Sequence, residues 1–117
     1  MYNIANNGIV TLPAGDSMIA PLYLFLGDSN VRYTLDTFDK LYFAILKPHQ
    51  PFNHGEVRKI FTRENINADG DIIINLKPED TENLVPGTYY YEIKLQVIRD
   101  HKEYIDTVVP RRKFYII

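Results

Sequence analysis

Gly-Asp-Ser occurs twice in this 117-residue chain, at Gly15-Asp16-Ser17 and Gly27-Asp28-Ser29. A serine in that setting could attack an ester, given a histidine base and an oxyanion hole. The chain has no Asp-x-x-His pair to supply the base, so ordinary turns account for both triplets. His49 and His54, with Asn53 nearby, could be imagined as metal ligands, but zinc wants three or four placed donors and no third is evident. Asp69-Gly70-Asp71 has the opening of a calcium loop without its later oxygen donors or closing glutamate. Glu79, Asp80 and Glu82 could pair for acid–base work, yet nothing apolar surrounds them to raise a pKa; a solvated connector fits them better. No catalytic, cofactor-binding or metal-binding residue is assigned.

Binding chemistry remains. Arg111-Arg112-Lys113 runs into Phe114 and Tyr115, which suits contact with an anionic polymer or a charged edge strand that blocks unwanted pairing. The net charge of -2 favours edge protection, and no nucleic-acid or membrane partner is expected. Nine of the aromatic residues are tyrosines. Tyr89 and Tyr91 are expected in the core, while Tyr23, Tyr33, Tyr42 and Tyr90 are expected at the surface, where tyrosine serves protein contacts or sugar stacking. Tyr42, Tyr90, Arg111, Arg112 and Lys113 form the expected interface.

These residues need a scaffold, and composition bounds it. A chain of 117 residues that is 45% apolar can bury a core as one domain, residues 1–117. There is no cysteine, which excludes disulfides, thiolate metal sites and a cysteine nucleophile. The start, MYNIANNGIVTL, lacks the basic and apolar regions of a signal peptide, and no apolar run approaches the ~20 residues of a membrane span.

Strand-like segments follow one another along the chain. Residues 8–12 form a short candidate ended by Pro13-Ala14-Gly15-Asp16, and residues 17–26 (SMIAPLYLFL) a longer one, with a bulge or edge position at Pro21. A short strand over residues 31–35 comes next. Residues 39–47 (DKLYFAILK) read as a central strand, with Leu41, Phe43 and Ile45 on one face and Tyr42, Ala44 and Leu46 on the other. Both faces are apolar, so one is expected to meet the core and the other a neighbour. Residues 57–62 (VRKIFT) read as a charged edge strand. A turn at Asn67-Ala68-Asp69-Gly70 leads to a strand over 71–76, and residues 77–84 fit one helical turn opened by Pro78. Pro86-Gly87 then starts residues 88–98, which alternate strictly: Tyr89, Tyr91, Ile93, Leu95 and Val97 inward, Tyr90, Glu92, Lys94 and Gln96 outward. Arg99-Asp100-His101-Lys102 is a hairpin loop, and a final strand over 103–117 is expected to break at Pro110. About seven evenly spaced strands imply an all-β, antiparallel immunoglobulin-like sandwich.

Leu84-Val85-Pro86-Gly87-Thr88-Tyr89-Tyr90 is similar to the turn before the penultimate strand of fibronectin type III domains, where a tyrosine hydroxyl fastens the corner. Their spacing would select Tyr90, whereas the alternation turns Tyr89 inward. A broader resemblance covers roughly the last eighty residues. DKLYFAILKP at 39–48, the strand at 69–76, Pro78-Glu79-Asp80-Thr81 with Leu84, GTYYYEI at 87–93, Asp106-Thr107-Val108-Val109 and Lys113-Phe114-Tyr115-Ile116 keep a fixed order. That order resembles the amino-terminal domain of phage baseplate upper proteins and related immunoglobulin-like tail modules of Gram-positive hosts. Baseplate upper proteins usually continue into a helical or receptor-binding region, and this chain ends at Ile117, so the resemblance implies the sandwich module alone. It implies a non-enzymatic virion structural protein without cofactors, made in the host cytoplasm and placed in the tail or baseplate. Other phage structural proteins, and a second copy of the chain, are the partners implied. A carbohydrate- or cell-surface-binding module is the alternative.

Overall fold

In the computed structural model, which describes residues 1–27 and 29–117, the chain is all-β with one helical turn. Asp28, within the second Gly-Asp-Ser triplet, lies outside the described residues. The strands are β1 (Asn3–Ile4), β2 (Val10–Leu12), β3 (Met18–Leu22), β4 (Leu24–Phe25), β5 (Arg32–Tyr33), β6 (Lys40–Leu46), β7 (Val57–Phe61), β8 (Ile72–Leu76), β9 (Gly87–Arg99) and β10 (Lys102–Ile116), with α1 at Pro78–Thr81. Six of them form one sheet in the order β1-β2-β10-β9-β6-β7; β3 pairs with β8, and β4 with β5. Every pairing is antiparallel except β2 with β10.

The core lies between the six-stranded sheet and the β3–β8 ribbon, which makes the architecture sandwich-like. Leu41, Phe43, Ile45, Ile93 and Phe114 enter from the large sheet; Met18, Ala20, Ile72, Ile74 and Leu76 enter from the ribbon. Tyr91 stacks on Phe43 with ring centroids 6.1 Å apart and meets the edge of Phe114 at 5.9 Å. The alternation of β9 is followed closely, with Tyr89, Tyr91, Ile93 and Leu95 buried.

Two expectations about the strands change. There are ten strands among the described residues rather than about seven, because the 17–26 run divides at Tyr23 and the short β1 also pairs. Pro21 takes the edge position expected of it, in β3 opposite Ile73, since a two-stranded ribbon has only edges. The final strand does not break at Pro110. It bulges, with register shifts between Thr107 and Val109 and between Val109 and Arg112, so the ladder skips the residue that has no N–H. Beyond it, Asp100 and His101 both adopt positive φ, 51° and 63°, the geometry of a two-residue primed turn that follows the twist of its strands.

The acidic connector is also less solvated than expected. Asp80 Oδ2 accepts from the Lys77 backbone N–H at 2.8 Å and from Lys59 Nζ at 3.0 Å, so it caps α1 and ties it to β7. Thr81 is fully buried and its hydroxyl accepts from the Gly15 N–H at 3.1 Å.

Candidate interaction surface

In an antiparallel pair, residues directly opposite share a face. The outer face of the large sheet therefore carries rows across its strands: Ile60, Tyr42, Lys94 and Thr107 in one, Lys40, Gln96 and Ile105 in the next. Tyr42 donates its hydroxyl to Gln96 Oε1 at 2.7 Å, which holds the ring against the sheet between the two rows. Phe52 stands beside it, on the 3-10 turn Phe52–His54, with the Lys94 ammonium 5.0 Å from its ring centroid. On either side are shallow troughs of about 440 and 390 Å³ that share Tyr42, Phe52 and Asn53. Ile60 and Ile105, each 57% exposed, flank them.

The second apolar face of β6 is mostly covered by the chain itself. Ala44 and Leu46 point outward yet are only 1% and 0% exposed. The segment between β6 and β7 folds over them. A Cβ at Gly55 would lie 2.9 Å from the Ile45 carbonyl and 3.0 Å from Leu46 Cδ2, so glycine lets that backbone approach. The neighbour expected from the sequence is thus this loop, except at Tyr42.

The remaining expected interface residues are not one cluster. Tyr90 and Lys113 lie opposite each other on the outer face, four residues along β9 from Lys94 and hence roughly 13 Å away at ~3.3 Å per residue. Arg111 is engaged: its Nε donates to Glu92 Oε1 at 2.9 Å and a terminal nitrogen donates to the Gln50 carbonyl at 2.6 Å. Glu92, read as a wet-side residue, is buried by this pair, and Lys94 approaches its other oxygen at 3.7 Å. Arg112 turns to the N-terminal segment, where it donates to the Asn7 carbonyl at 2.7 Å. The Arg112 and Lys113 backbone pairs with Tyr91 and Tyr90 on one side, while β2 reaches β10 only from Phe114 onward, so the triplet lies on an open margin of β10, as an edge-protecting role requires.

The candidates for chemistry sit in turns. The Ser29 hydroxyl donates to the Leu26 carbonyl and accepts from the Val31 N–H at 3.2 Å, and Ser17 is exposed. Asn67 Oδ1 accepts from the N–H groups of Asp69 and Asp71 at 2.9 and 3.0 Å, closing a turn in which Gly70 has φ 82°. His49 and His54 are both exposed. Among the described residues no group of three or more potential ligands is placed to hold a metal ion.

A polar cluster not anticipated from the sequence lies at the start of β6. Asp39 is 1% exposed; its Oδ2 accepts from the Tyr33 hydroxyl and, at 2.9 Å, from the Asp36 N–H. Arg99 donates to the Tyr33 oxygen at 3.1 Å and stands 3.7 Å from Asp39 Oδ1, which has no hydrogen-bond partner. Burial, aided by the bond to Asp39 and opposed by Arg99, raises the Tyr33 phenol above its ordinary pKa. The signal was present: Asp39 has the parity of Leu41 and Phe43, the inward residues of β6. The cluster ties β5 and, through Arg99 beside the turn, the tip of the β9–β10 hairpin to the start of β6.

Tyr89 settles the corner. Its hydroxyl donates to the Val85 carbonyl at 2.8 Å across the Pro86-Gly87 turn, so Tyr89 rather than Tyr90 fastens it. Comparison with known proteins finds no matching family model, no matching curated protein and no matching solved structure.

Proposed function

We propose that the chain is a non-enzymatic structural module of a phage or prophage tail or baseplate, working through contacts with other virion subunits. The order of segments from residue 39 to residue 116 supports the setting, as the resemblance to baseplate upper proteins implies. The observation that carries the mode of action is the outer sheet face, where Ile60, Tyr42 and Ile105 leave apolar surface uncovered beside troughs too open to enclose a substrate. An immunoglobulin-like topology is part of the same reading. It is supported by the parallel β2–β10 pairing at the sheet margin and by the Tyr89 corner. The proposed partners are other tail proteins and a second copy of the chain, and the proposed location is the virion.

The test is mass spectrometry of purified particles from a lysogen encoding the chain, with the expected result a stoichiometric tail component. Its absence from particles and from every tail assembly intermediate would sink the proposal. The alternative, a carbohydrate-binding module, draws on the trough where Tyr42 and Phe52 stand with Lys94, Gln96 and Glu103, an aromatic platform edged by polar groups. Glycan-array binding that is lost in Tyr42→Ala would favour it.

A further inference from the structure

Two edges of the large sheet are unfilled, and their side chains match. β7 ends the sheet on one side, and among the described residues no backbone hydrogen bond reaches its outer edge. On the other side β2 covers β10 only from Phe114 to Ile116. The stretch from Lys102 to Thr107 pairs regularly with β9 inward and with no strand outward. We propose that the chain assembles head to tail, with the β7 edge of one copy pairing with this open β10 edge of the next, so that the large sheet continues from subunit to subunit.

Direction allows it. Successive antiparallel pairings from β7 through β6 and β9 to β10 leave β7 and β10 running oppositely. A second copy placed beside the first in the same orientation therefore presents an antiparallel partner. Register then follows from charge. Setting Lys59 opposite Asp106 on the inner face places Ile60 opposite Ile105 on the outer face, and Arg58 opposite Thr107. The two isoleucines are among the more exposed apolar side chains of the sheet and would cover each other.

Charge also chooses the partner. β7 carries Arg58 and Lys59 and no acid; Asp80 of the same subunit offsets Lys59 at 3.0 Å, so the charge that two β7 edges would bring together is chiefly that of Arg58. The β10 edge from Lys102 to Thr107 carries two acids, Glu103 and Asp106, against one cation, Lys102. Charges that repel one pairing attract the other. Such a heterologous contact closes into a ring if the rotation permits and otherwise extends as a filament. The inference deepens the tail-module reading, on which its biological setting rests, by naming a second copy as partner.

The experiment is light scattering and sedimentation on the full chain over a wide concentration range, with Ile60→Asp and Ile105→Asp as variants. Both positions are surface sites, and matching circular dichroism and melting curves establish that each variant folds. The wild type is expected to grow beyond a dimer with concentration, and each variant alone to stay monomeric. An equimolar mixture of the two retains one live edge of each kind, so it is expected to form a dimer and stop there. A monomeric wild type, or an Ile60→Asp variant that assembles like the wild type through β10 alone, overturns the proposal. Detection of the chain in particles would then still uphold the tail-module reading. Absence from particles would remove that reading and leave the edge result standing.

Discussion

β9 is one strand with two environments. From Tyr90 to Gln96 it is flanked by β6 on one side and β10 on the other, and the inward side chains Tyr89, Tyr91, Ile93 and Leu95 are buried. Past Gln96 the β6 pairing ends, and β9 with β10 projects as a two-stranded arm. There Ile98 and Tyr104 stand 43% and 49% exposed, and Val97 is only half covered. Sequence and alternation hardly change along the strand. What changes is whether a second layer and a third strand are present. An isolated two-stranded hairpin is marginal in water, so the arm is steadied from its tip, where Arg99, the last residue before the turn, reaches back to Tyr33 and Asp39.

The strongest way to break the comparison is to empty one position in each region. Phe43 is nearly fully buried and stacks on Tyr91. Phe43→Ala is expected to cost about 3–5 kcal/mol, the transfer term plus the cavity it leaves. Ile105→Ala, opposite Gln96 where the arm begins, is expected to stay within about 0.5 kcal/mol, because most of its surface is already in water. Urea unfolding in dilute solution measures both. Similar costs at the two sites would show that the arm is packed in solution and that the two environments are not distinct.

The same contrast explains what could be read from the residues alone. Parity along β6 and β9 placed the core face correctly because it depends only on successive residues. The covering of Ala44 and Leu46 was not legible, since it comes from a loop whose fold-back depends on Gly55 approaching a backbone ten residues upstream. Glu92 looked wet because Arg111, which buries it, arrives from a strand nineteen residues away. Asp39 was legible by parity and was passed over, because an inward acid gains its sense only from Tyr33 and Arg99, neither of which shares its strand. The bulge at Pro110 keeps a ladder going where the residue type suggested a stop.

A smaller effect tests the corner at the closed end of β9. Tyr89→Phe removes the bond to the Val85 carbonyl and is expected to lower stability by about 1 kcal/mol. Tyr90→Phe, one residue on and facing outward, is expected to change it by no more than a few tenths. Equal losses, or the reverse order, would return the corner to Tyr90.

The smallest effect separates the two regions by titration. Burial raises the Tyr91 phenol in the closed half, with Arg112 partly opposing, and burial also raises Tyr33, the β5 residue that Arg99 of the arm contacts. Both therefore stay neutral in the folded chain at pH values where an unfolded phenol, with a pKa near 10, already ionises. The sign follows: the stability due to these phenols is full below about pH 10 and declines as pH rises from there through their raised folded values. Ultraviolet difference titration near 295 nm is expected to show phenol that ionises above the ordinary range in the folded chain, from Tyr33 and Tyr91. Tyr33→Phe should remove one late step and Tyr91→Phe the other, each flattening the alkaline loss of stability. If neither substitution alters the late part of the titration while circular dichroism still reports the native fold, neither hydroxyl is held from water and the two regions do not differ in this respect.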